Sequence, residues 1–273
     1  MLLPLFNRTL TNSSSTLAWL VDLGSHWQWL YLIGLLIAGG IATSMQKTWA
    51  FMVLVIPLPW IWVASQISPA TQKSQLISVA SINVHLDNQS PERLIQWIAK
   101  AQPDVVVIIE ISPMYAEGLK KLDGYPYRHV IPEDSPFGMA MLSRIPMTHV
   151  ETIRNAESIP RIEAELSWND RLIAILAYHP MPPISQRYHS FRNTELSEVA
   201  HNLVRRNQPA ILAGDINATP WSSAFHGLEA VGIRRATGLR PTWPSVGQGW
   251  LGIPIDHVLA TTHWKVVEQD VGF

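Results

Sequence analysis

The chain has 273 residues and a net charge of −1, a length that accommodates one full-sized domain and an appendage. This charge balance argues against a domain whose affinity rests on a long nucleic acid, because such domains carry a basic excess. The sequence contains no cysteine, which excludes disulfides, thiol nucleophiles and thiolate metal sites.

The N-terminal quarter is apolar and almost uncharged. Before Lys73 the only charged residues are Arg8, Asp22 and Lys47. Two uncharged stretches, residues 27–46 and 48–65, each approach the roughly 20 helical residues that cross a bilayer. Tryptophans lie near their ends, as in the aromatic belts of membrane proteins. The pattern predicts two transmembrane helices; the alternative is a helical hairpin buried in a globular protein.

The predicted domain organisation follows from this pattern. Residues 1–26 form an N-terminal segment, 27–66 the two transmembrane helices, 67–75 a polar linker and 76–273 a soluble domain. Lys47 lies between the two spans, and the positive-inside tendency places that turn in the cytoplasm. We therefore expect a protein of the cell (inner) membrane whose large domain is extracytoplasmic. No obligate protein partner is evident from the sequence.

From Leu76 onward the sequence has the pattern of an α/β domain. Buried strands are predicted where β-branched apolar residues run together, at residues 76–84, 105–109, 210–214 and 255–260. ELSW and RLIAILA flank Asn169-Asp170, which predicts a hairpin with a tight turn. Amphipathic helices are predicted after Ser90-Pro91 and over residues 187–206. Strands and helices mix without strict alternation, which suggests packed sheets flanked by helices.

Polar side chains follow several of these strands. The residues concerned are Asn83, Glu110, Asp215, Asn217 and Asp256. Asp215 and Asn217 are two positions apart, so in an extended chain they face the same way. A carboxylate beside an amide suits a metal and a phosphate oxygen together, and oxygen ligands without thiolates favour Mg²⁺ or Mn²⁺.

Each of these residues also has a structural interpretation when it is taken alone. Asn83 is compatible with a turn at a strand end, Gly214-Asp215 with a common turn, and Asp256 with a buried ion pair. His179, which precedes a proline, is compatible with a core histidine. Glu110 is harder to explain structurally, because a carboxylate after five apolar residues of a buried strand needs a partner or a purpose.

The order of the motifs favours function. SINVHLDN, PDVVVIIEI, MAMLSRIP, AYHP, AGDINATPW, PTWP and PIDHVLA resemble, in this order, the endonuclease/exonuclease/phosphatase superfamily over residues 76–273. The membrane-anchored bacterial branch is the most similar. The resemblance implies the four-layer α/β sandwich of that superfamily, two packed mixed β-sheets flanked by helices, here preceded by the two transmembrane helices.

The resemblance also implies roles for the polar residues around a metal. Glu110 corresponds to the principal ligand of Mg²⁺ or Mn²⁺, and Asn83 to its neighbour in metal or phosphate binding. Asp215 corresponds to the residue that orients or deprotonates the attacking water, and Asn217 to a group that binds a phosphate oxygen.

Two further roles concern histidines. His179 corresponds to the histidine that contacts the scissile phosphate and helps to protonate the leaving group. Asp256 corresponds to the carboxylate that orients a second catalytic histidine. His257 points to the other face of the strand and is expected to be structural. Ser143 and Arg144 lie in a mainly structural segment of the family.

The family pattern closes with an Asp-His pair beyond the position of Asp256, and these 273 residues do not contain it. We therefore expect the domain to lack its C-terminal strand and the histidine that Asp256 orients. Two functions follow. The first is a membrane-anchored, metal-dependent hydrolase of phosphate esters, whether nucleic acid, nucleotide, or lipid or sugar phosphate. The second is a catalytically impaired, membrane-anchored binding or scaffold protein that retains the fold.

Overall fold

The structure is a computed structural model that describes residues 2–10, 15–43, 76–244 and 252–272. Its α-helices are α1 (Leu3–Leu10), α2 (Thr16–Ser25), α3 (Gln28–Thr43), α4 (Glu92–Ala101), α5 (Pro113–Leu119) and α6 (Gln186–Arg205). Its strands are β1 (Val79–Asn83), β2 (Val105–Ile109), β3 (Tyr127–Ile131), β4 (Met139–Ser143), β5 (Met147–Arg154), β6 (Pro160–Trp168), β7 (Arg171–Ala177), β8 (Ala210–Asp215), β9 (Ile233–Arg235) and β10 (Asp256–Thr261).

The strands form two mixed sheets. The first has the order β1-β2-β4-β3 and the second the order β5-β6-β7-β8-β10-β9. In the first sheet β1 and β2 run parallel, and in the second β7 and β8 run parallel. The other strand pairs are antiparallel. The parallel pairs matter for function, because their carboxyl ends bring consecutive strand ends to one edge of each sheet.

Alternation along the strands builds the layers. In β2, Val105, Val107 and Ile109 face the second sheet and pack against residues of β6, β7 and β8. Val106 and Ile108 face the other way and pack on α4 and α5. The far side of the second sheet is covered by α6, through Leu196, Val199, Ala200 and Leu203. Helix, sheet, sheet and helix thus form the α/β sandwich that the sequence predicts.

The elements predicted from local patterns are in place. The Asn169-Asp170 turn joins β6 to β7 with φ of 48° and 59°, a left-handed pair typical of two-residue hairpins. One expectation needs correction. The strand predicted as buried over 76–84 is β1, an edge strand whose five residues are all only half-buried.

The predicted transmembrane helices receive no support from the described part of the chain. α3 covers most of the first span, but no helix among the described residues is both long and apolar enough to cross a bilayer. The second span, residues 48–65, and the linker 67–75 lie outside the described residues.

The N-terminal helices pack on the sandwich instead of standing apart from it. Asp22 of α2 is fully buried and contacts Arg192 of α6 and Ser222 in the loop after β8. Trp19 donates its indole N–H to the carbonyl of Pro183, at 2.8 Å. α1 packs against α2 and against the 3₁₀ turn Ser223–Phe225. The described residues of the N-terminal segment, 2–10 and 15–26, are therefore in direct contact with the domain that begins near residue 76.

Candidate active site at the ends of five strands

The first sheet contributes an asparagine and a glutamate. Asn83 ends β1 and Glu110 directly follows β2, and the parallel register places Asn83 beside Ile109. The Asn83 amide donates to Glu110 Oε1 at 2.8 Å, and the backbone N–H of Leu86 donates to Glu110 Oε2 at 3.1 Å. Glu110 has a φ of 65°, which is unfavourable for a residue other than glycine and is typical of functional sites.

The second sheet contributes two aspartates. Asp215 ends β8, Asp256 begins β10, and the antiparallel register pairs these two residues directly. Directly paired residues project to the same face of a sheet, so the two carboxyl groups lie side by side. Asn83 reaches across from the first sheet and donates to Asp215 Oδ2 at 3.1 Å. One amide therefore links the carboxylates of the two sheets.

His179 lies in the loop that follows β7, the parallel neighbour of β8. Its Nδ1 is 3.1 Å from the carbonyl oxygen of Asp215, and its Nε2 is 4.0 Å from Glu110 Oε1. A ring nitrogen that faces a carbonyl carries the proton, which leaves the lone pair of the neutral ring on Nε2. The ring is 3% exposed and packs beside Phe137. Burial lowers the pKa of His179, against the opposing effect of the Asp215 carbonyl and the Glu110 charge.

Asn217 follows Asp215 in a tight turn. Its backbone N–H donates to Asp215 Oδ1 at 2.8 Å, its side-chain amide donates to the carbonyl of Pro180 at 3.0 Å, and its φ is 53°. The preceding Gly214 lies so close to β7 that an added Cβ would be 1.8 Å from the carbonyl oxygen of Tyr178. Only glycine fits there, and this close approach sets the distance between the His179 loop and the Asp215 turn.

The electrostatics of the aspartate pair are unusual. Burial, together with the charge of Glu110, raises the pKa of Asp215 to about 7, although hydrogen bonds from Asn217 and Asn83 oppose this shift. Burial and the charge of Asp215 raise the pKa of Asp256 to about 7. Asp256 Oδ1 is buried and has no hydrogen-bond partner among the described residues. Concentrated, under-paired carboxylates of this kind favour a cation or a proton.

A divalent cation fits this set of oxygen donors if water and substrate oxygens complete its coordination. No three His, Asp or Glu side chains in the described ranges are grouped so as to hold a metal by themselves. Mg²⁺ commonly uses one or two carboxylates and completes its shell with water and substrate oxygens, which agrees with an oxygen-only site. Asn83 presents its amide nitrogen to the carboxylates, while its Oδ1 accepts from the His85 N–H at 2.9 Å. In this arrangement Asn83 orients Glu110 and Asp215.

The structure brings the six proposed site residues together, and it places His257, Ser143 and Arg144 away from them. His257 is buried on the opposite face of β10, where its Nε2 contacts the carbonyl of Ala218 and its Nδ1 contacts Thr237. Ser143 and Arg144 bond to backbone atoms of Ile145 and Gln102. These three residues have structural contacts, as the sequence predicts.

Two contributors are absent from the sequence-based prediction. Thr242, in the PTWP motif, accepts the backbone N–H of Asp256 at 3.2 Å and positions the start of β10. Arg192 donates to the carbonyl of Asn217 at 2.6 Å. A signal for Arg192 was present, since it lies four residues before Leu196 and therefore on the buried face of α6.

Comparisons with known proteins agree with this architecture. A search of curated proteins gives no match. Among solved structures, TDP2 of D. rerio, complexed with a single-strand DNA product, superposes with a TM-score of 0.57 at 17% identity, covering 68% of this chain and 83% of its own.

Two other structures give the same picture. Sphingomyelinase C of Streptomyces griseocarneus superposes with a TM-score of 0.56 at 20% identity, over 68% of this chain and 83% of its own. An AP endonuclease of Archaeoglobus fulgidus gives 0.54 at 15% identity, over 68% and 87%. At these identities the likeness establishes the fold. The family model for endonuclease/exonuclease/phosphatase proteins matches residues 80–272, and the chain therefore belongs to this family.

Proposed function

We propose that the chain is a divalent-cation-dependent hydrolase of phosphate esters, anchored to a membrane by its N-terminal quarter. The observation that carries the proposal is the meeting of Asn83, Glu110, His179, Asp215, Asn217 and Asp256 at one edge of the two sheets. Phosphate ester hydrolysis requires neutralised phosphoryl oxygens, a positioned water and a stabilised leaving group. The six side chains match these requirements.

Glu110, with Asp215 and Asn217 beside it, would hold the cation. Bound there, Mg²⁺ or Mn²⁺ supplies a Lewis acid that polarises a phosphoryl oxygen. Glu110 is suited to this role because Asn83 and the Leu86 N–H fix both of its carboxylate oxygens. A ligand that is fixed before binding loses little conformational freedom when the ion arrives.

Asp215 is the proposed base for the attacking water. Asp215 shares the Asn83 amide with Glu110, so it lies within reach of a water on the cation that Glu110 would hold. The Asn217 N–H donates to Oδ1 at 2.8 Å and the Asn83 amide donates to Oδ2 at 3.1 Å, so both bonds fix the orientation of the carboxylate. Asn217 is the proposed contact for a phosphate oxygen.

His179 is the proposed partner of the scissile phosphate. Its neutral ring presents Nε2 to the site because Nδ1 faces the Asp215 carbonyl. A negative phosphate beside Nε2 favours protonation of that nitrogen, and the resulting N–H is available to the leaving group. Asp256 adds negative potential that raises the pKa of His179 and so supports the protonated form.

One observation favours a second candidate, a binding or scaffold protein without turnover. The resemblance assigns to Asp256 the orientation of a histidine, yet its Oδ1 has no partner among the described residues. A chain that binds a phosphate ester but does not hydrolyse it fits the same site. The two candidates differ in a single measurement, the release of product from a bound ester over several hours at millimolar Mg²⁺.

The membrane part of the proposal rests on the composition of residues 27–65 and on chain geometry. α2 and α6 are in contact, so the residues before and after the apolar stretches lie on one side of any membrane. An even number of crossings satisfies this condition, and Lys47 between them supports a domain outside the cytoplasm by the positive-inside tendency. Recovery of the full chain in the soluble fraction without detergent contradicts the anchor.

The decisive experiment is Glu110→Gln in the full chain. Loss of the carboxylate is expected to weaken Mg²⁺ binding in calorimetry and to lower hydrolysis of bis(p-nitrophenyl) phosphate by on the order of 10²–10⁴. Glu117→Gln is the matched control, because Glu117 on α5 is 71% exposed and forms an ion pair with Lys120 at the surface. Equal Mg²⁺ affinity in Glu110→Gln and the parent refutes the assignment of Glu110.

A further inference from the structure

The buried cluster around Asp22 is the starting point. Asp22 is fully buried on α2, and an isolated carboxylate in such a place is strongly unfavourable. It accepts hydrogen bonds from Arg192 Nη2 at 2.9 Å, the Ser223 N–H at 2.6 Å and the Ser222 hydroxyl at 2.9 Å. The Asn7 amide adds a bond at 3.2 Å. The donors come from α1, from α6 and from the loop after β8.

Arg192 links the Asp22 cluster to the active site. Its side chain is fully buried, and while Nη2 binds Asp22, Nη1 donates to the carbonyl of Asn217 at 2.6 Å. Asn217 has a φ of 53°, in the left-handed region that asparagine tolerates, so its conformation depends on the contacts of its backbone. The guanidinium is one such contact, and it acts directly on the backbone of the proposed phosphate-binding residue.

Three more contacts join α2 and His26, the residue after it, to the loops of the site. His26, just after α2, lies with Nδ1 at 2.9 Å from the Thr219 hydroxyl and accepts the Thr219 N–H at 3.2 Å. Trp19 donates to the carbonyl of Pro183, four residues after His179. α2 thus contacts both the loop that carries His179 and the loop that carries Asp215 and Asn217.

We propose that the N-terminal helices complete the active site, with Asp22 and Arg192 acting as a positioning pair for Asn217. The inference rests on the proposed function for its catalytic meaning. The pair touches neither substrate nor cation; it fixes the backbone from which Asn217 projects. Arg192 is positioned in turn by Asp22, because a buried guanidinium without its carboxylate loses its orientation.

The test uses Arg192→Lys in the full chain, purified in detergent. Lysine keeps the charge beside Asp22, but a point-like ammonium does not span Asp22 and the Asn217 carbonyl as the planar fork does. We expect kcat for bis(p-nitrophenyl) phosphate to fall about 10- to 100-fold. We also expect faster hydrogen–deuterium exchange in the peptide spanning residues 214–222.

The control is Glu163→Gln, which weakens another buried ion pair within the sandwich. Glu163 is 6% exposed and bonds to Arg161 on β6 and to Arg206 just after α6. It is expected to lower the melting temperature with kcat and exchange at 214–222 unchanged. An equal fall of kcat in both variants, or unchanged exchange at 214–222 in Arg192→Lys, overturns the proposal. If the parent shows no hydrolysis, the proposed function fails and the exchange result alone decides this inference.

Discussion

Two clusters of buried charge bond to the backbone of Asn217, one through Arg192 and the other through Asp215, and they differ in how completely they are paired. Around Asp22, an arginine, serines and an asparagine donate to one carboxylate. At the strand ends, Asp215 and Asp256 lie side by side, and Asp256 Oδ1 has no partner within the described ranges. A saturated carboxylate stabilises structure, whereas under-paired carboxylates keep the capacity to bind a cation or a proton.

The pKa values of Asp22, Asp215 and Asp256 differ in the same way as their pairing. Burial alone raises the pKa of Asp22, but the hydrogen bond from His189 and the charge of Arg192 outweigh it and hold the value well below 3.8. At the strand ends burial and like charges act together, and the pKa of both aspartates rises to about 7. The two clusters therefore differ in protonation, because Arg192 pairs with Asp22, whereas no arginine or lysine of the described residues pairs with Asp215 or Asp256.

Removal of the Asp22 carboxylate is expected to have the largest effect on stability. Asp22→Ala leaves Arg192 buried without its partner, and breaking a buried pair in this way typically costs about 3–5 kcal/mol. We expect this loss in the free energy of unfolding measured by urea denaturation at pH 7. Glu117→Ala, at an exposed pair, serves as the control and should change stability by less than about 1 kcal/mol. A similar small effect of Asp22→Ala would show that the network is not stabilising.

A second variant, Asp256→Asn, tests the under-paired carboxylates through the pH dependence of stability. The folded-state pKa of Asp256 is raised to about 7 from 3.8, so the folded protein loses stability as pH rises through this range. Asp256→Asn removes the like charge beside Asp215. The variant should match its parent near pH 4 and exceed it by at most about 4 kcal/mol at pH 8, in EDTA, because one pKa unit corresponds to about 1.4 kcal/mol.

Thermal unfolding of parent and variant across this pH range checks the expectation, with Glu117→Gln as a variant whose difference from the parent stays constant. Added Mg²⁺ should narrow the gap at pH 8, because the cation compensates the like charges that the variant lacks. A parent that is more stable than Asp256→Asn at pH 8 in EDTA contradicts the assignment of this cluster as under-paired.

The smallest expected effect concerns Trp19. Trp19→Phe keeps most of the ring and removes the N–H that bonds to the Pro183 carbonyl. A single bond of this kind contributes about 0.5–1.5 kcal/mol, which should appear as a small shift in the urea midpoint. Trp97→Phe, on α4, is a comparable substitution away from the His179 loop. If faster exchange at residues 180–184 does not accompany Trp19→Phe, the bond does not order that loop.

Much of the sandwich was predictable because its signals are local. Continuous apolar runs located β2 and β8, a 3.6-residue period located α6, and the turn chemistry of Asn169-Asp170 located the hairpin. The meeting of the site residues was also predictable, because Asn83, Glu110 and Asp215 end strands whose carboxyl ends share an edge. The half-burial of β1 was not, because position at the edge of a sheet depends on partners and leaves no mark on a strand's own sequence.

The contact of the N-terminal helices with the site escaped prediction for a different reason. Asp22 and Arg192 are 170 residues apart, and no periodicity relates them. Each nonetheless left a sign in its own segment, an acid in an apolar helix and an arginine on the inward face of α6. Ionisable residues at inward-facing positions predict a distant partner of opposite charge, even when the partner's identity is open.

The same separation has a consequence for biosynthesis. A ribosome adds roughly 5–20 residues per second, so the 170 residues between Asp22 and Arg192 take about 10–30 seconds to emerge. During that interval Asp22 lacks the hydrogen-bond donors that α6 and the loop after β8 provide in the folded protein. The N-terminal helices therefore reach their final environment among the last elements of the chain, although they are the first to be made.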